Sequence, residues 1–400
     1  MFDTLYQKLM EALELHRDMS DTEIYAAIDA LLTGPACRIR LDERSALRRE
    51  LFNAVRRLDI LQELIDDDGI TEVMVNGTAG IFYERAGVLR RWDRQIRTTQ
   101  KLEDIVQQIV SACNRVVNEA SPIVDARLGN GARVNIVLPP VAVDGPVITI
   151  RRFPDHPISM DDLLEWNSIT IEAARFLQRL VVAGYNIFIS GGTGSGKTTF
   201  LNVLASFIPA DERIITIEDN CELQIRGIEN LVRLEARRAN EDGAREVSIR
   251  DLIRASLRMR PNRIIVGEVR GEETIDVLQA LNTGHDGSLS TGHGNSPEDM
   301  LSRLETMYSM GMSIPLNAIR RQIASGIDIL VHLGRLRDRS RKVLQISEID
   351  GYDYQTGEIK LHTLFDFRET GEDKNGKVLG RLEETGTLRA EGKLKRAGLL

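Results

Sequence analysis

Little in this chain points outside the cell or into a bilayer. Its 400 residues include three cysteines, Cys37, Cys113 and Cys221, far apart and at no spacing that suits zinc or a redox pair. They are expected to be reduced and buried, as in a cytosolic protein. No apolar run approaches the roughly 18 residues that a bilayer requires, so any membrane role is expected to be peripheral. The opening residues, Met1-Phe-Asp-Thr-Leu5, lack a basic segment followed by an apolar one, and no secretory leader is expected. Positive charge is not in excess either. Against 52 Lys and Arg stand 60 Asp and Glu, a net charge of −8, which weighs against a general nucleic-acid binder. What remains is ordinary globular material, 42% apolar and 28% charged. The length suggests two to three domains of roughly 100–200 residues.

The most informative stretch is Asn186 to Thr199. A short apolar run, Ile187–Ile189, reads as a buried strand, and Phe200–Leu204 reads as the continuation of a helix. Between them Gly191, Gly192, Thr193, Gly194, Ser195, Gly196, Lys197, Thr198 and Thr199 fill the phosphate-loop pattern G-x-x-x-x-G-K-[ST] in its expected context. Glycine lets the backbone turn successive N–H groups toward one phosphate, and the helix N-terminus adds partial positive charge there. Lys197 can reach the β- and γ-phosphates, and the Thr198 hydroxyl can ligate magnesium. The implied ligand is a nucleoside triphosphate.

Around this loop the chain divides by rhythm. Residues 1–42 carry Phe2, Leu5, Leu9 and Leu13, then Ile24, Ile28 and Leu31, at helical spacing with a break near Met19–Asp21. A long helix is expected over Glu43–Asp66, with Arg48, Arg49, Arg56 and Arg57 off its apolar stripe on a solvated face. Short strands follow near 70–75, 81–83, 88–89, 132–138 and 146–152, around a helix 102–117 with Cys113 and Val116 inward. Together they make an α+β domain over 43–153. Residues 154–158 read as a linker. From 159 to 366 helices alternate with buried strands, the pattern of a mostly parallel sheet. Arginines at 335–342 read as a solvated hairpin. Residues 367–400, charged and glycine-rich, read as a small or flexible tail.

Three further segments carry candidate chemistry. Ile264-Ile-Val-Gly-Glu268 is an apolar strand delivering an acid, with Gly267 where an aspartate is usual, so Glu268 would act alone. Thr216-Ile-Glu-Asp219 ends a neighbouring strand in acids, and Glu218 is the candidate for polarising an attacking water. In Gly284–His293, His285 and His293 lie eight residues apart without a third ligand, which suits hydrogen bonding to phosphate or acids better than metal. Ligands of parallel sheets bind beyond the carboxyl ends of the strands, where these segments would converge.

The ordered set GGTGSGKTT, TIEDNCEL, RIIVGEVRG and TGHDGSLSTGH resembles the secretion ATPase superfamily of type II secretion, type IV pili and conjugation-type secretion. The wording at Ile70–Gly77, Ser121–Arg127, Gly131–Asn135 and Ile148–Phe153 is most similar to the CpaF branch that powers Tad (Flp) pilus assembly. The resemblance covers roughly residues 45–350. It implies a RecA-like core with an α+β N-terminal domain, forming a homohexamer that uses ATP and Mg2+ at the cytoplasmic face of the inner membrane, beside pilus platform proteins. It further implies that N-domain arginines close over the γ-phosphate. Arg133 is the first choice, with Arg127 and Arg151 in matching segments, Arg152 beside them, and Arg258, Arg260 and Arg270 as second contacts. The chain lacks the tetracysteine insert common in the type II secretion branch. Three other readings stay open: a conjugation-type secretion ATPase, a nucleic-acid motor, and a nucleotide-gated scaffold with little catalysis.

Overall fold

The apolar spacing at the start of the chain becomes packed helices in the computed structural model, which describes residues 2–14, 19–34, 39–85, 87–96, 98–113, 115–152, 157–237 and 246–400. Cys37 and residues 154–156 of the expected linker lie outside the described residues. The chain falls into two compact units, 1–155 and 156–400.

In the first unit, α1 (Phe2–Glu14), α2 (Asp21–Thr33) and α3 (Leu41–Arg56) bury Leu5, Leu9, Ile24, Ile28, Leu51 and Phe52 together. The break at 19–21 is a capping box. Ser20 Oγ accepts from the Glu23 N–H, and the Glu23 carboxylate accepts from the Ser20 N–H. The single helix expected over 43–66 is two, because α3 stops at Arg56 and α4 (Leu61–Ile65) starts afresh. Asp59 between them has φ 50°, and its N–H donates to the Asn53 carbonyl, closing α3. Leu58, Leu61 and Ile65 stay buried across the turn, so the apolar period runs on where the backbone does not.

Strands β1 (Ile70–Asn76), β2 (Gly80–Arg85) and β3 (Val88–Arg91), helix α5 (Thr99–Ala112), and strands β4 (Ile123–Arg127), β5 (Arg133–Val137) and β6 (Val147–Arg151) complete the unit. The sheet is antiparallel in the order β3-β2-β1-β6-β5-β4. Leu102, Ile105, Val106 and Ile109 of α5 pack on it. The helix ends at Ala112, so Val116, expected to point inward, is 72% exposed.

The second unit contains α6 (Met160–Glu165), α7 (Ile171–Val182), β7 (Ile187–Gly191), α8 (Lys197–Ala205), β8 (Ile214–Glu218), β9 (Leu231–Glu235), α9 (Ile249–Ser256), β10 (Arg263–Val269), α10 (Thr274–Asn282), β11 (Leu289–His293), α11 (Pro297–Gly311) and α12 (Leu316–Gly326). It ends with β12 (Ile329–Arg335), β13 (Arg341–Tyr352), β14 (Ile359–Glu372), β15 (Val378–Glu384) and α13 (Gly392–Arg396). Strand order is β15-β14-β13-β12-β7-β11-β10-β8-β9. The six strands from β12 to β9 are parallel and the other three antiparallel, so the sheet is mixed rather than mostly parallel throughout. Apolar cores cover both faces, as the continuous apolar runs of β7, β8 and β10 require.

Residues 367–400 are not a loose tail. β14 runs on to Glu372, β15 pairs along it, and Leu382 and Leu394 join the core around Tyr185. Glu348, 1% exposed, accepts from the N–H groups of Arg389 and Ala390, and the Tyr185 hydroxyl donates to the Ala390 carbonyl. The segment's apolar residues are too sparse to mark it as part of the sheet in the sequence.

Candidate functional site

Gly191 ends β7 against β12, where a Cβ would come 2.5 Å from the Leu333 carbonyl oxygen. Gly194 and Gly196 turn the chain with φ 73° and 94°, a left-handed conformation that favours glycine. Ser195 Oγ donates back to the Gly192 carbonyl, and α8 then opens on Lys197. Thr198 and Thr199 follow, half-buried in its first turn, while Gly192, Thr193 and Gly194 are exposed. The sequence pattern thus becomes a turn with a helix N-terminus behind it.

Lys197 is 8% exposed, and its ammonium donates to the carbonyls of Gly191 and Gly192 and to His293 Nδ1, each at 3.1 Å. Burial lowers its pKa, which Glu268 opposes and Arg270 reinforces. Register explains the histidine: β11 is parallel to β7 and pairs His293 with Gly191. An ammonium can only donate, so Nδ1 accepts and the ring proton sits on Nε2, which lies 2.7 Å from Glu268 Oε1. Burial also lowers the pKa of His293, against the pull of Glu268, which favours a neutral ring.

Glu268 stands near the end of β10, the strand next to β11. Its Oε2 lies 2.6 Å from the Arg270 guanidinium, which also reaches toward Asp219 at 3.6 Å. Its Oε1 is buried and meets no aligned hydrogen-bond donor. A buried oxygen beside the lysine, with the Thr198 hydroxyl on α8, suits a hard cation such as magnesium. Among the described residues no group of three or more His, Cys, Asp or Glu is arranged to hold a metal alone.

Glu218 ends β8, 3% exposed. Its Oε1 accepts from the N–H groups of Glu222 and Leu223, and Oε2 is buried without a partner. Burial pushes its pKa up to about 7 against those two donors. Lys197, His293, Glu268, Arg270 and Glu218 therefore all come from the carboxyl ends of neighbouring parallel strands and the turns that follow.

Other expected residues fall elsewhere. His285 precedes β11 at the amino edge of the sheet, its Nδ1 3.3 Å from the Ala280 carbonyl. The neighbouring Gly287 and Ser288 N–H groups donate to Asn186, just before β7. A strand length of roughly 15 Å separates that edge from His293, so His285 is not beside the phosphate loop and the two histidines share no ligand. Arg258 and Arg260 precede β10 and lie at the same amino edge. Arg127, Arg133 and Arg151 belong to the first unit. Cross-strand register sets them side by side, Arg127 opposite Arg133, Arg133 opposite Arg151, and Arg151 opposite Glu72. Arg152 instead donates to the Asp67 carbonyl and meets Asp68.

One contact was not expected. Arg341, in the arginine-rich hairpin read as solvated, donates from Nε to the Gly194 carbonyl at 2.9 Å. It borders a cleft of about 260 Å³ beside the loop, lined also by Ile158, Trp166, Gly196, Thr199 and Phe200. An arginine run contains no sign of which member faces the loop.

A strand, a glycine turn and a helix opening on lysine, with acids and a histidine gathered at the same end of the sheet, form one candidate site in an α/β protein. More narrowly, the chain belongs to the type II/IV secretion system protein family, whose model matches residues 55–381. It is 36% identical over 294 residues to Rv3659c of Mycobacterium tuberculosis, a protein named for conjugal transfer, covering 72% of this chain and 83% of that one. To PtlH of Bordetella pertussis, a type IV secretion system protein, it is 33% identical over 320 residues, 74% of this chain and 94% of that one. Among solved structures, the pilus retraction motor PilT with bound ADP matches 86% of this chain and 87% of its own, at a TM-score of 0.55 and 20% identity, a likeness of fold alone.

Proposed function

We propose that this chain is an ATP-hydrolysing motor that works as a homohexamer at the cytoplasmic face of the inner membrane. The observation that carries the reading is the Lys197–His293–Glu268 contact set at the mouth of the phosphate loop. Lys197 leaves the loop carbonyls to bind the β- and γ-phosphates. His293, neutral, accepts from Lys197 at Nδ1 and turns its Nε2 proton toward Glu268, so that it orients both side chains beside the terminal phosphate. Glu218 accepts the proton of the attacking water, a task suited to a carboxyl with a pKa near the working pH. Magnesium, held by Thr198 and Glu268 together with the triphosphate, would neutralise charge on the phosphate oxygens. The cleft at Trp166 and Phe200 takes the base. Arg133, with Arg127 and Arg151 beside it, supplies the cation for the γ-phosphate.

The machine it powers is proposed to be a Tad-type pilus, on the wording of the N-terminal segments. A conjugation-type secretion system is the second reading, supported by the names of Rv3659c and PtlH. Deleting the gene and scoring pilus assembly against substrate or DNA transfer separates the two. The nucleic-acid motor requires turnover stimulated by DNA or RNA. For the chemistry, Lys197→Ala is expected to abolish magnesium-dependent phosphate release, and robust turnover in that variant would refute the assignment. Absence of steady-state turnover in the unaltered protein would favour the nucleotide-gated scaffold.

A further inference from the structure

His332 belongs to none of the motifs above. It lies on β12, which flanks β7 on the side away from β11, and it is 7% exposed. Parallel register sets it opposite Ser190, and its Nδ1 is 2.9 Å from the Ser190 hydroxyl in a buried contact. Ser190 immediately precedes Gly191, whose carbonyl accepts from Lys197. The backbone of Asn295, two residues beyond His293, also lies close enough to the imidazole to favour its charged form. One side chain therefore reaches from β12, across the end of β7, to the loop that leaves β11.

An aliphatic residue would suit a buried position in a parallel sheet, and a buried imidazole is costly unless its polar atoms are bonded. Here the partners sit on the two segments that must keep register for the site to hold its shape: the strand entering the phosphate loop and the turn carrying His293. Glu298 and Asp299 on α11 face the ring and favour its charged form, but burial outweighs them. A neutral ring can donate from one nitrogen and accept at the other, as a bridge between a hydroxyl and a backbone requires.

We infer that His332 is a positioning residue, which holds the His293 turn against the phosphate-loop strand so that Lys197, His293 and Glu268 keep their mutual geometry during hydrolysis. The inference rests on the ATPase reading above. It differs from a purely structural role in that its removal acts through His293 and Ser190, and turnover changes more than nucleotide binding does.

The test uses the full chain, with kcat and KM for magnesium-ATP, affinity for a fluorescent ATP analogue, and melting temperature read for each variant. His332→Leu is expected to lower kcat about tenfold or more while analogue affinity stays within about threefold. His332→Gln, which can still donate and accept, is expected to recover most of the loss. In a His293→Ala background, His332→Leu should cost little further, and its combination with Ser190→Ala should be non-additive. If His332→Leu does not fold, Ser190→Ala alone removes one end of the bridge and should lower kcat in the same direction. Unchanged kcat, full additivity in both combinations, or a lower melting temperature with normal kcat would overturn the inference. An unaltered chain that hydrolyses no ATP would overturn the ATPase reading instead, and this inference with it.

Discussion

Gly267 on β10 faces Glu218 on β8 so closely that a Cβ at position 267 would lie 3.0 Å from Glu218 Cγ. The glycine where a strand-ending aspartate is usual is thereby explained, since a side chain there would press on the buried carboxylate next door. Gly267→Ala is expected to lower turnover at least tenfold by shifting Glu218, with nucleotide affinity changed little. Gly267→Asp should be worse, because it adds a second negative charge to the same space. Phosphate-release kinetics beside analogue binding check both, and wild-type turnover in Gly267→Asp would refute the packing argument.

Glu218 should also leave a signature in pH. Its carboxyl is pushed up to about 7 from an ordinary value of 4.5, chiefly by burial. Across that window the folded protein keeps a proton that the unfolded chain has released, so this group's contribution to stability falls as pH rises. Glu218→Gln keeps the acceptor for the two backbone donors and removes the titration. Above pH 7 it is expected to be more stable than the unaltered protein by on the order of 1–3 kcal/mol, with the gap closing toward pH 4. Urea denaturation at several pH values measures it. Turnover of the unaltered protein should rise through pH 7, and a gap that did not change with pH would refute the assignment.

The cross-strand row of Arg127, Arg133 and Arg151 sets like charges directly opposite one another, an arrangement that costs stability. Arg133→Ala is expected to leave the protein folded, with a stability change below about 3 kcal/mol. It should lower hydrolysis about tenfold to a hundredfold, with nucleotide binding still measurable. Thermal melts and steady-state turnover separate the two effects, and normal turnover would remove Arg133 from the proposed role.

Glu348 ties the end of the chain to the sheet through the N–H groups of Arg389 and Ala390. Glu348→Ala would leave both donors without their acceptor at a site almost closed to water. A loss of about 2–4 kcal/mol is expected, read as a lower urea midpoint. A change under about 0.5 kcal/mol would mean that water replaces the carboxylate.

Elements were legible where local pattern and tertiary role coincide. β7, β8 and β10 are buried on both faces, so each reads as a continuous apolar run; β8 ends in Glu218, and β10 carries Glu268 one residue before its end, at the carboxyl edge. The exceptions share one cause. The break at Asp59 leaves the apolar period intact, and the apolar residues of β14 and β15 are diluted by charges facing water. His285 and His293 look equivalent along the chain, yet one precedes a strand and the other ends it.

The phosphate-loop pattern was legible in the sequence alone, because its glycines, lysine and threonine lie within a few residues of one another. The sequence also marked out Glu218 and Glu268, because acids ending apolar strands are read strand by strand. Which groups meet was not legible along the chain: His293 on Lys197, Gly267 making room for Glu218, Arg341 on the loop, and three arginines in one row. These pairings depend on strand order and register, set by packing between segments far apart in the chain.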